Sequence, residues 1–467
     1  MGVLCVSPLF ACGETVNSAF RESKLLKDKF RKTALVLLLG LLAHGVSADE
    51  LTDRAKGLLD QGKAAEAFRL LDAVERERAG DPVFDLLLGI AAVDIGQNTR
   101  GVFALERVLV VQPGNARARA EIARAYLALG ETKNARQEFE TVQKQGVPDE
   151  VGLTIDRFLD TVDRIDSATR PTLRGYLEGS FGYDTNINAG PNRDTVQIAV
   201  PGFGKLEFDL AKESRSNKSA FGTLGGGLNY RAPINSSLAF VGGISGVLRD
   251  NFRDLSHDYD TLSADAYVGL VLNKDKNVFS LNAQHNHFEL ESDRYRTASG
   301  FSGQWQYNHD ARNQSSAFVQ YANLRYQQQS IRNADRWVAG FGHAHGYRNG
   351  AVTWLSAYWV DESPKDGDVP WLGHDGPGLR IGGQINLGAR TVFFANGSVE
   401  HRRYDAKDIT FNVLRKDTQY DLSLGINYTP VRHWKITPKL SLTRNNSNTD
   451  LNDYHRETVS VTARYDF

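Results

Sequence analysis

The feature that most constrains the fold of this chain is a change of periodicity near Pro171. Before Pro171 a pattern recurs every 34 residues, and after it apolar and polar residues alternate. A 34-residue period is typical of tetratricopeptide repeats, whose stacked helix pairs form a groove. Alternating segments separated by turns are typical of membrane β-barrels. The predicted fold class is an α + β membrane protein, a helical solenoid followed by a transmembrane antiparallel β-barrel of about 14 strands.

An export signal is predicted near the start of the chain. Basic residues between Lys24 and Lys32 precede a short apolar run at residues 34–43, and small residues at 46–48 precede Asp49. This order is that of a secretory signal peptide with its cleavage site. Residues 1–48 are therefore assigned to an upstream extension and signal peptide. Both cysteines, Cys5 and Cys12, lie within it, which excludes disulfides and cysteine-ligated metals from the mature chain.

The repeat period is marked by Gly62, Gly96 and Gly130, which stand 34 residues apart. Small residues between them allow paired helices to pack closely, and larger residues fill the space between pairs. Residues 49–148 are assigned to a periplasmic tetratricopeptide repeat domain. Apolar residues at helical spacing continue through 149–170, which is assigned to a connecting helix.

A groove for a client chain is predicted on the inner side of the first helices. A surface that mixes apolar and basic side chains suits an extended peptide or a partner protein, although the same residues could serve only to pack the solenoid. The candidate groove residues are Lys56, Leu59, Leu86, Ile90, Val93, Arg117, Arg124 and Leu127.

Residues 171–467 are assigned to an outer-membrane β-barrel. In the last segment Val459 and Val461 alternate with Ser460 and Thr462, and similar alternation recurs upstream. The alternating polar face is too rich in Arg, Asn, Gln and Asp for the dry interior of a sandwich, because buried polar groups need partners. The water of a barrel lumen would supply them. The aromatic end of the chain, Tyr465 and Phe467, resembles the signal read by the barrel assembly machinery, a predicted partner.

The connections between the predicted strands alternate in length. Short turns include 273–276 and 348–350, whereas longer connections include 184–218 and 361–377. Short periplasmic turns and long extracellular loops are the usual asymmetry of such barrels. With an even strand number, both ends of the barrel segment and the helical domain would lie in the periplasm. The predicted location is the outer membrane of a Gram-negative bacterium, with outer-membrane lipids as partners.

The motif Tyr183-Asp184-Thr185-Asn186 follows directly on the first predicted strand. Together with the tetratricopeptide-plus-barrel layout, it resembles the surface lipoprotein assembly modulator family. That resemblance implies a barrel that helps a lipoprotein reach the cell surface, or in some relatives a secreted haem-binding protein, with roles in host association. The motif also has a purely structural interpretation, because Asp and Asn favour turns and Asp184 could simply end the strand.

Catalytic and metal chemistry is not predicted. His285 with His287 and His343 with His345 each share one strand face, but three strands separate the two pairs in the predicted order. Nucleophiles and bases are scattered without a local signature, so no enzyme activity and no cofactor are expected. A formal net charge of −1 argues against nucleic acid as a partner.

The leading functional hypothesis is an outer-membrane translocator for a client surface lipoprotein or a secreted protein. The alternatives are an exopolysaccharide export porin, since such exporters also join helical repeats to barrels, and a surface adhesin or host-interaction factor acting through long loops. Nothing resembles a nucleotide-binding motor, so binding energy and folding of the client outside would have to drive transport.

Overall fold

The computed structural model describes residues 50–200, 203–252 and 259–467. The predicted upstream extension and signal peptide, residues 1–48, lie outside the described residues. The described chain divides into two compact units, a helical unit that ends at Arg170 and a sheet unit that begins at Pro171.

The helical unit consists of antiparallel helix pairs followed by a longer final helix. In chain order the helices are α1 (Glu50–Asp60), α2 (Ala64–Asp72), the short α3 (Glu75–Arg78), α4 (Pro82–Asp94), α5 (Asn98–Val111), α6 (Ala116–Ala128), α7 (Thr132–Lys144) and α8 (Asp149–Thr169). The pairs are α1 with α2, α4 with α5 and α6 with α7.

The glycines at the 34-residue interval form the turns within the helix pairs. Gly62, Gly96 and Gly130 have φ values of 72°, 84° and 80°, a backbone conformation that favours glycine. At the other end of the first helices, the side chain of Asp81 accepts the backbone N–H groups of Val83 and Phe84 at the start of α4. The 34-residue period in the sequence therefore marks the turns at which the chain reverses direction within each helix pair.

Packing between neighbouring pairs gives the helical unit a continuous series of buried clusters. In the last cluster Phe139 of α7 is fully buried and stacks on Phe158 of α8, with ring centroids 5.0 Å apart. Ile155, Leu159 and Val162 of α8 belong to the same cluster. The last helix therefore covers the apolar face that α7 would otherwise expose.

The sheet unit is a closed antiparallel barrel of 14 strands, as predicted. Each barrel strand pairs with the next one along the chain, and the first strand closes the barrel by pairing with the last. The barrel strands are β1 (Thr172–Asp184), β4 (Ser219–Pro233), β5 (Leu238–Asn251), β6 (Thr261–Lys274), β7 (Asn277–Leu290), β8 (Asp293–Asn308), β9 (Asn313–Tyr326), β10 (Ala334–Gly346), β11 (Val352–Pro364), β12 (His374–Asn386), β13 (Thr391–Lys407), β14 (Leu414–Tyr428), β15 (Trp434–Ser447) and β16 (Tyr454–Asp466). A separate hairpin, β2 (Thr195–Val200) with β3 (Gly204–Asp209), lies between β1 and β4.

Alternation along the strands separates an apolar outer face from a polar inner face. On β1 the outer side chains Leu173, Leu177 and Phe181 are 64%, 58% and 63% exposed. The alternate positions of the same strand face the lumen and include polar residues such as Glu178 and Asp184. An apolar exterior on a closed sheet is the arrangement that a lipid environment stabilises.

The two ends of the barrel differ in their connections. At the terminal end, where β1 begins and β16 ends, the strands are joined by the short turns 234–237, 275–276, 309–312, 347–351, 387–390 and 429–433. At the opposite loop end, the connections include the long segment 185–218. One connection at the loop end departs from the expected asymmetry. Glu291 and Ser292 join β7 to β8 as a two-residue turn, both with positive φ, as in a type I′ hairpin.

In the described ranges, none of the helices combines the length and the apolar character needed to cross a membrane.

Candidate functional site

The motif residue Asp184 lies at the loop end of β1, on the lumen face, and is fully buried. Arg456 of β16 donates from Nε to both carboxylate oxygens of Asp184, at 3.0 and 3.1 Å. Arg249 of β5 donates to the same carboxylate at 2.9 Å. A buried carboxylate needs such charged partners. Asp184 therefore links the first barrel strand to the last strand on one side and to β5 on the other.

Thr185 and Asn186 extend this linkage past the end of β1. The backbone N–H of Thr185 donates to the carbonyl of Glu457 at 3.0 Å, and its hydroxyl accepts the N–H of Glu457 at 2.8 Å. The fully buried Asn186 donates to the carbonyls of Gly190 and His455, at 2.8 and 2.9 Å. These contacts make the motif a clasp across the seam between β1 and β16.

The long connection 185–218, named the strap here, crosses the same seam. The backbone N–H of Gln197 in β2 donates to Asp450 at 2.9 Å, and Arg193 forms an ion pair with Asp450. Asp450 lies in the connection between β15 and β16. The side chain of Asn192 also accepts the N–H of His455. The strap thus fastens the loop that follows β1 to the loop that precedes β16.

At the terminal end the seam is closed by the last residue. Phe467 and Gly175 exchange two backbone hydrogen bonds, each 2.8 Å long. A Cβ at Gly175 would lie 2.4 Å from the Phe467 ring, so the absence of a side chain there makes room for that ring. Tyr465 packs against Trp434, with centroids 5.2 Å apart. Both residues of the predicted assembly signal therefore lie beside the seam.

The lumen face carries a network of charged and polar side chains. Arg402 of β13 donates to Glu400 at 2.7 Å and to Gln419 of β14 at 3.2 Å. Tyr358 of β11 donates to the second oxygen of Glu400 at 2.9 Å, and Arg380 lies over its ring at 4.2 Å. These groups are largely buried from solvent yet mutually paired, as charges in a lumen wall must be.

The sheet unit matches a family model. The model for the surface lipoprotein assembly modifier matches residues 174–467, from the third residue of β1 to the end of the chain. This chain belongs to that family. The resemblance inferred from the motif and the layout is confirmed, and with it a location in the outer membrane of a Gram-negative bacterium. In this member of the modifier family, the matched region begins at the seam and includes the clasp, the strap and the lumen network.

Comparison with solved structures gives distant likenesses to each unit of this modifier-family chain. The first tetratricopeptide domain of human RPAP3 is 16% identical, covering 25% of this chain and 88% of that chain, with a TM-score of 0.22. The Yersinia enterocolitica type III secretion translocator chaperone SycD is 20% identical over 24% and 81%, with a TM-score of 0.23. A Pseudomonas aeruginosa FadL homologue is 12% identical over 63% and 90%, with a TM-score of 0.35. A search of curated proteins found no match.

The candidate groove residues of the helical unit have two kinds of surroundings. Ile90 and Val93 are 5% and 8% exposed, and Leu59, Leu86 and Leu127 pack against buried clusters. Arg124 forms ion pairs with Glu121 and with Asp94, the latter at 2.8 Å. Lys56 and Arg117 are half-buried. The apolar members thus contribute to helix packing, Arg124 is held by ion pairs, and Lys56 and Arg117 are the basic members that stay half-exposed on the predicted groove.

The two histidine pairs are on separate strands, β7 and β10, with β8 and β9 between them. His285 contacts Ser299 at 2.8 Å, and His343 contacts Ser315 at 3.0 Å. Within the part of the chain that the structure describes, no group of three or more potential metal-ligating side chains comes together.

The partners of Asp184 escaped the sequence analysis. Arg249 and Arg456 are separated from it by 65 and 272 residues, so no local spacing points to them. The available signal was periodicity alone, because both arginines stand at lumen-facing positions of their strands. That signal would have placed them on the correct face without choosing them as partners.

Proposed function

We propose that this chain is an outer-membrane translocator that delivers a partner lipoprotein to the cell surface. The observation that carries the proposal is the match of residues 174–467 to the surface lipoprotein assembly modifier model, over a closed 14-strand barrel. The family and the barrel point to an assembly or transport role, and we infer that the chain acts without catalysis. A secreted protein as client, and a service to host association, belong to the same proposal.

The helical unit would capture the client before it crosses the membrane. The barrel begins and ends at one end because its strand number is even, which supports a periplasmic position for the unit preceding β1. Half-buried Lys56 and Arg117 offer positive charge to a client. Arg124 would take part mainly by holding Glu121 and Asp94 in place.

The barrel would supply the route, through its lumen or along the seam between β1 and β16. The lumen wall is hydrophilic, which suits a polar polypeptide, and an opening at the seam would admit the acyl chains of a lipoprotein to the bilayer. Folding of the client outside would provide the free energy, because no motor is present in the sequence. We expect outer-membrane lipids to surround the apolar face and the barrel assembly machinery to insert the barrel through its Tyr465 and Phe467 end.

The test is surface display of a candidate client. The chain is co-expressed with a lipoprotein encoded beside it, and intact cells are stained for that lipoprotein before and after deletion of this chain. Loss of staining at unchanged total lipoprotein is expected. Unchanged staining would contradict lipoprotein export. A parallel loss of surface polysaccharide instead would favour the exopolysaccharide export alternative, and a loss of adhesion alone would favour the adhesin alternative.

The groove is tested separately with charge reversals. Arg117→Glu and Lys56→Glu should reduce surface display while leaving the barrel assembled. The matched control is Arg157→Glu, an exposed position on α8 outside the predicted groove. Equal display by the groove variants and the control would remove the groove from the mechanism without affecting the barrel.

A further inference from the structure

A cavity of about 280 Å³ opens inside the barrel near its loop end. This volume is far more than a single water or small ion needs. Strands β8 to β14 supply most of its wall, and the connections 327–333 and 365–373 contribute Arg332 and Leu372. The cavity is separate from the clasp, since Asp184 does not line it.

The wall of this cavity is strongly cationic. Of its described lining residues, five are arginines and one, Glu362, is a carboxylate. The arginines are Arg296, Arg332, Arg336, Arg402 and Arg415. Guanidinium groups bind phosphate oxygens with paired, directional hydrogen bonds, and several of them converging on one space favour a multiply charged oxyanion.

Three of these arginines are held in place by carboxylates in or behind the wall. Arg336 pairs with Glu362 at 3.1 Å, and Arg402 pairs with Glu400 at 2.7 Å. Arg415 donates from Nε to Asp417 at 3.1 Å. Such pairing fixes the guanidinium planes and leaves other N–H donors of each group for a ligand.

The side chains that Arg332 contacts among the described residues are neutral. It donates to the Tyr295 hydroxyl at 3.1 Å and to the Gln329 side chain at 3.0 Å, and it lies 5.2 Å from the centre of the Tyr326 ring. None of these contacts neutralises its charge. An anion in the cavity would provide the missing counter-charge.

His374 gives an independent indication of a ligand. Its side chain lines the cavity and is 7% exposed, yet neither ring nitrogen has a hydrogen-bond partner among the described residues. Leaving buried polar atoms without partners is unfavourable, because they lose their hydrogen bonds to water and gain none in the protein. The Tyr404 ring lies beside it with centroids 5.2 Å apart and offers no acceptor there. A ligand oxygen accepting from the imidazole N–H would satisfy one of the two nitrogens, and a ligand hydroxyl donating to the other would satisfy the second.

The remaining wall is apolar or aromatic. Phe288, Leu324, Pro364 and Leu372 line it together with Tyr295 and Tyr326, whose rings meet edge to face. This composition suits a ring with both polar edges and apolar faces, and the volume leaves room for one beside the anionic group.

We propose that this cavity binds a water-soluble phosphorylated saccharide, with the arginines and His374 holding the phosphate and the aromatic wall holding the sugar. The proposal concerns a ligand site and stands independently of the lipoprotein client. It makes the loop end of the lumen a receptor for phosphorylated sugars.

Calorimetric titration of the detergent-purified full chain tests it, with glucose 6-phosphate, inorganic phosphate and glucose as probes. Glucose 6-phosphate should bind more tightly than inorganic phosphate, and glucose should not bind. Arg332→Gln and His374→Phe should each weaken binding of the sugar phosphate about tenfold or more, because each removes a donor to a charged group. The matched control is Arg325→Gln, on the outer face of β9, which should bind as the wild type does.

Binding that is equal in Arg332→Gln, His374→Phe and Arg325→Gln would overturn the proposal, as would equal binding of glucose and glucose 6-phosphate. Failure of both phosphate probes to bind would also overturn it. Inorganic phosphate that binds as well as the sugar phosphate would overturn the saccharide part and retain the anion site. A heat-modifiable band in gels from each variant shows that the barrel has folded, so a loss of binding is not a loss of structure.

Discussion

The Nε atom of Arg456 donates to both oxygens of the Asp184 carboxylate, at 3.0 and 3.1 Å, and so joins the last strand of the barrel to the first. Arg249 completes the arrangement from β5. Because Asp184 is fully buried, its single negative charge depends on these two arginines, which share it at the seam.

Replacing Asp184 with Asn should destabilise the barrel by about 3 kcal/mol, because two arginines then lose the buried carboxylate that they share. The measurement is the denaturant midpoint at which the heat-modifiable barrel band disappears. Asp209→Asn, on the exposed face of the β2–β3 hairpin, is the control and should leave that midpoint unchanged. Equal midpoints for both variants would show that the clasp does not stabilise the barrel.

Gly175→Ala should slow or weaken barrel closure. The added Cβ would stand 2.4 Å from the Phe467 ring and 2.8 Å from Leu228, so one of these side chains must move, at a cost of about 1–3 kcal/mol. Gly179→Ala on the same strand is the control, since its Cβ would meet only the Thr223 carbonyl at an ordinary 3.7 Å. The fraction of folded barrel in purified membranes distinguishes them, and a normal yield for Gly175→Ala would contradict the packing argument.

Phe139→Ala should destabilise the helical unit by about 3–5 kcal/mol, because it empties a fully buried site between α7 and α8. Phe103→Ala, at a position 60% exposed on α5, is the control and should change the stability little. Thermal loss of the helical circular dichroism signal of the full chain reports the difference. Similar midpoints for the two variants would argue against tight packing of the last helix.

The helical unit should lose stability in acid through Glu75. Burial raises the pKa of Glu75, but hydrogen bonds from Arg100 and Arg107 outweigh it and hold the pKa below its usual value. A carboxyl with a depressed pKa stabilises the fold above its unfolded pKa, and that contribution disappears as the pH falls through the folded pKa. Wild type should therefore exceed Glu75→Gln in thermal midpoint at neutral pH, and the difference should vanish in acid. Glu77→Gln, exposed on the same short helix, is the matched control and should keep the wild-type thermal midpoint at neutral pH.

Periodicity was sufficient to predict the architecture, because each pattern reports a local geometry. The interval between Gly62, Gly96 and Gly130 marks positive-φ turns, and alternation in the strands reports two faces. Contacts between strands that are distant in the chain could not be predicted from the sequence. Arg456 lies 272 residues from Asp184, and the arginines around His374 come from separate strands and a loop. Their convergence depends on the strand register and on closure, which composition does not encode.

The strap also affects where the seam between β1 and β16 can open. Gln197 and Arg193 of the strap contact Asp450 across the seam, at the loop end, where Asp184 also pairs with Arg456. Near Phe467 the edges are held by backbone bonds to Gly175 and by Arg464, which pairs with Glu178 at 3.5 Å and lies 3.8 Å from the centre of the Tyr176 ring. Because more side-chain contacts cross the seam at the loop end, we expect unzipping to begin at the terminal end, with the loop end acting as a hinge that stays closed while a passenger enters the bilayer.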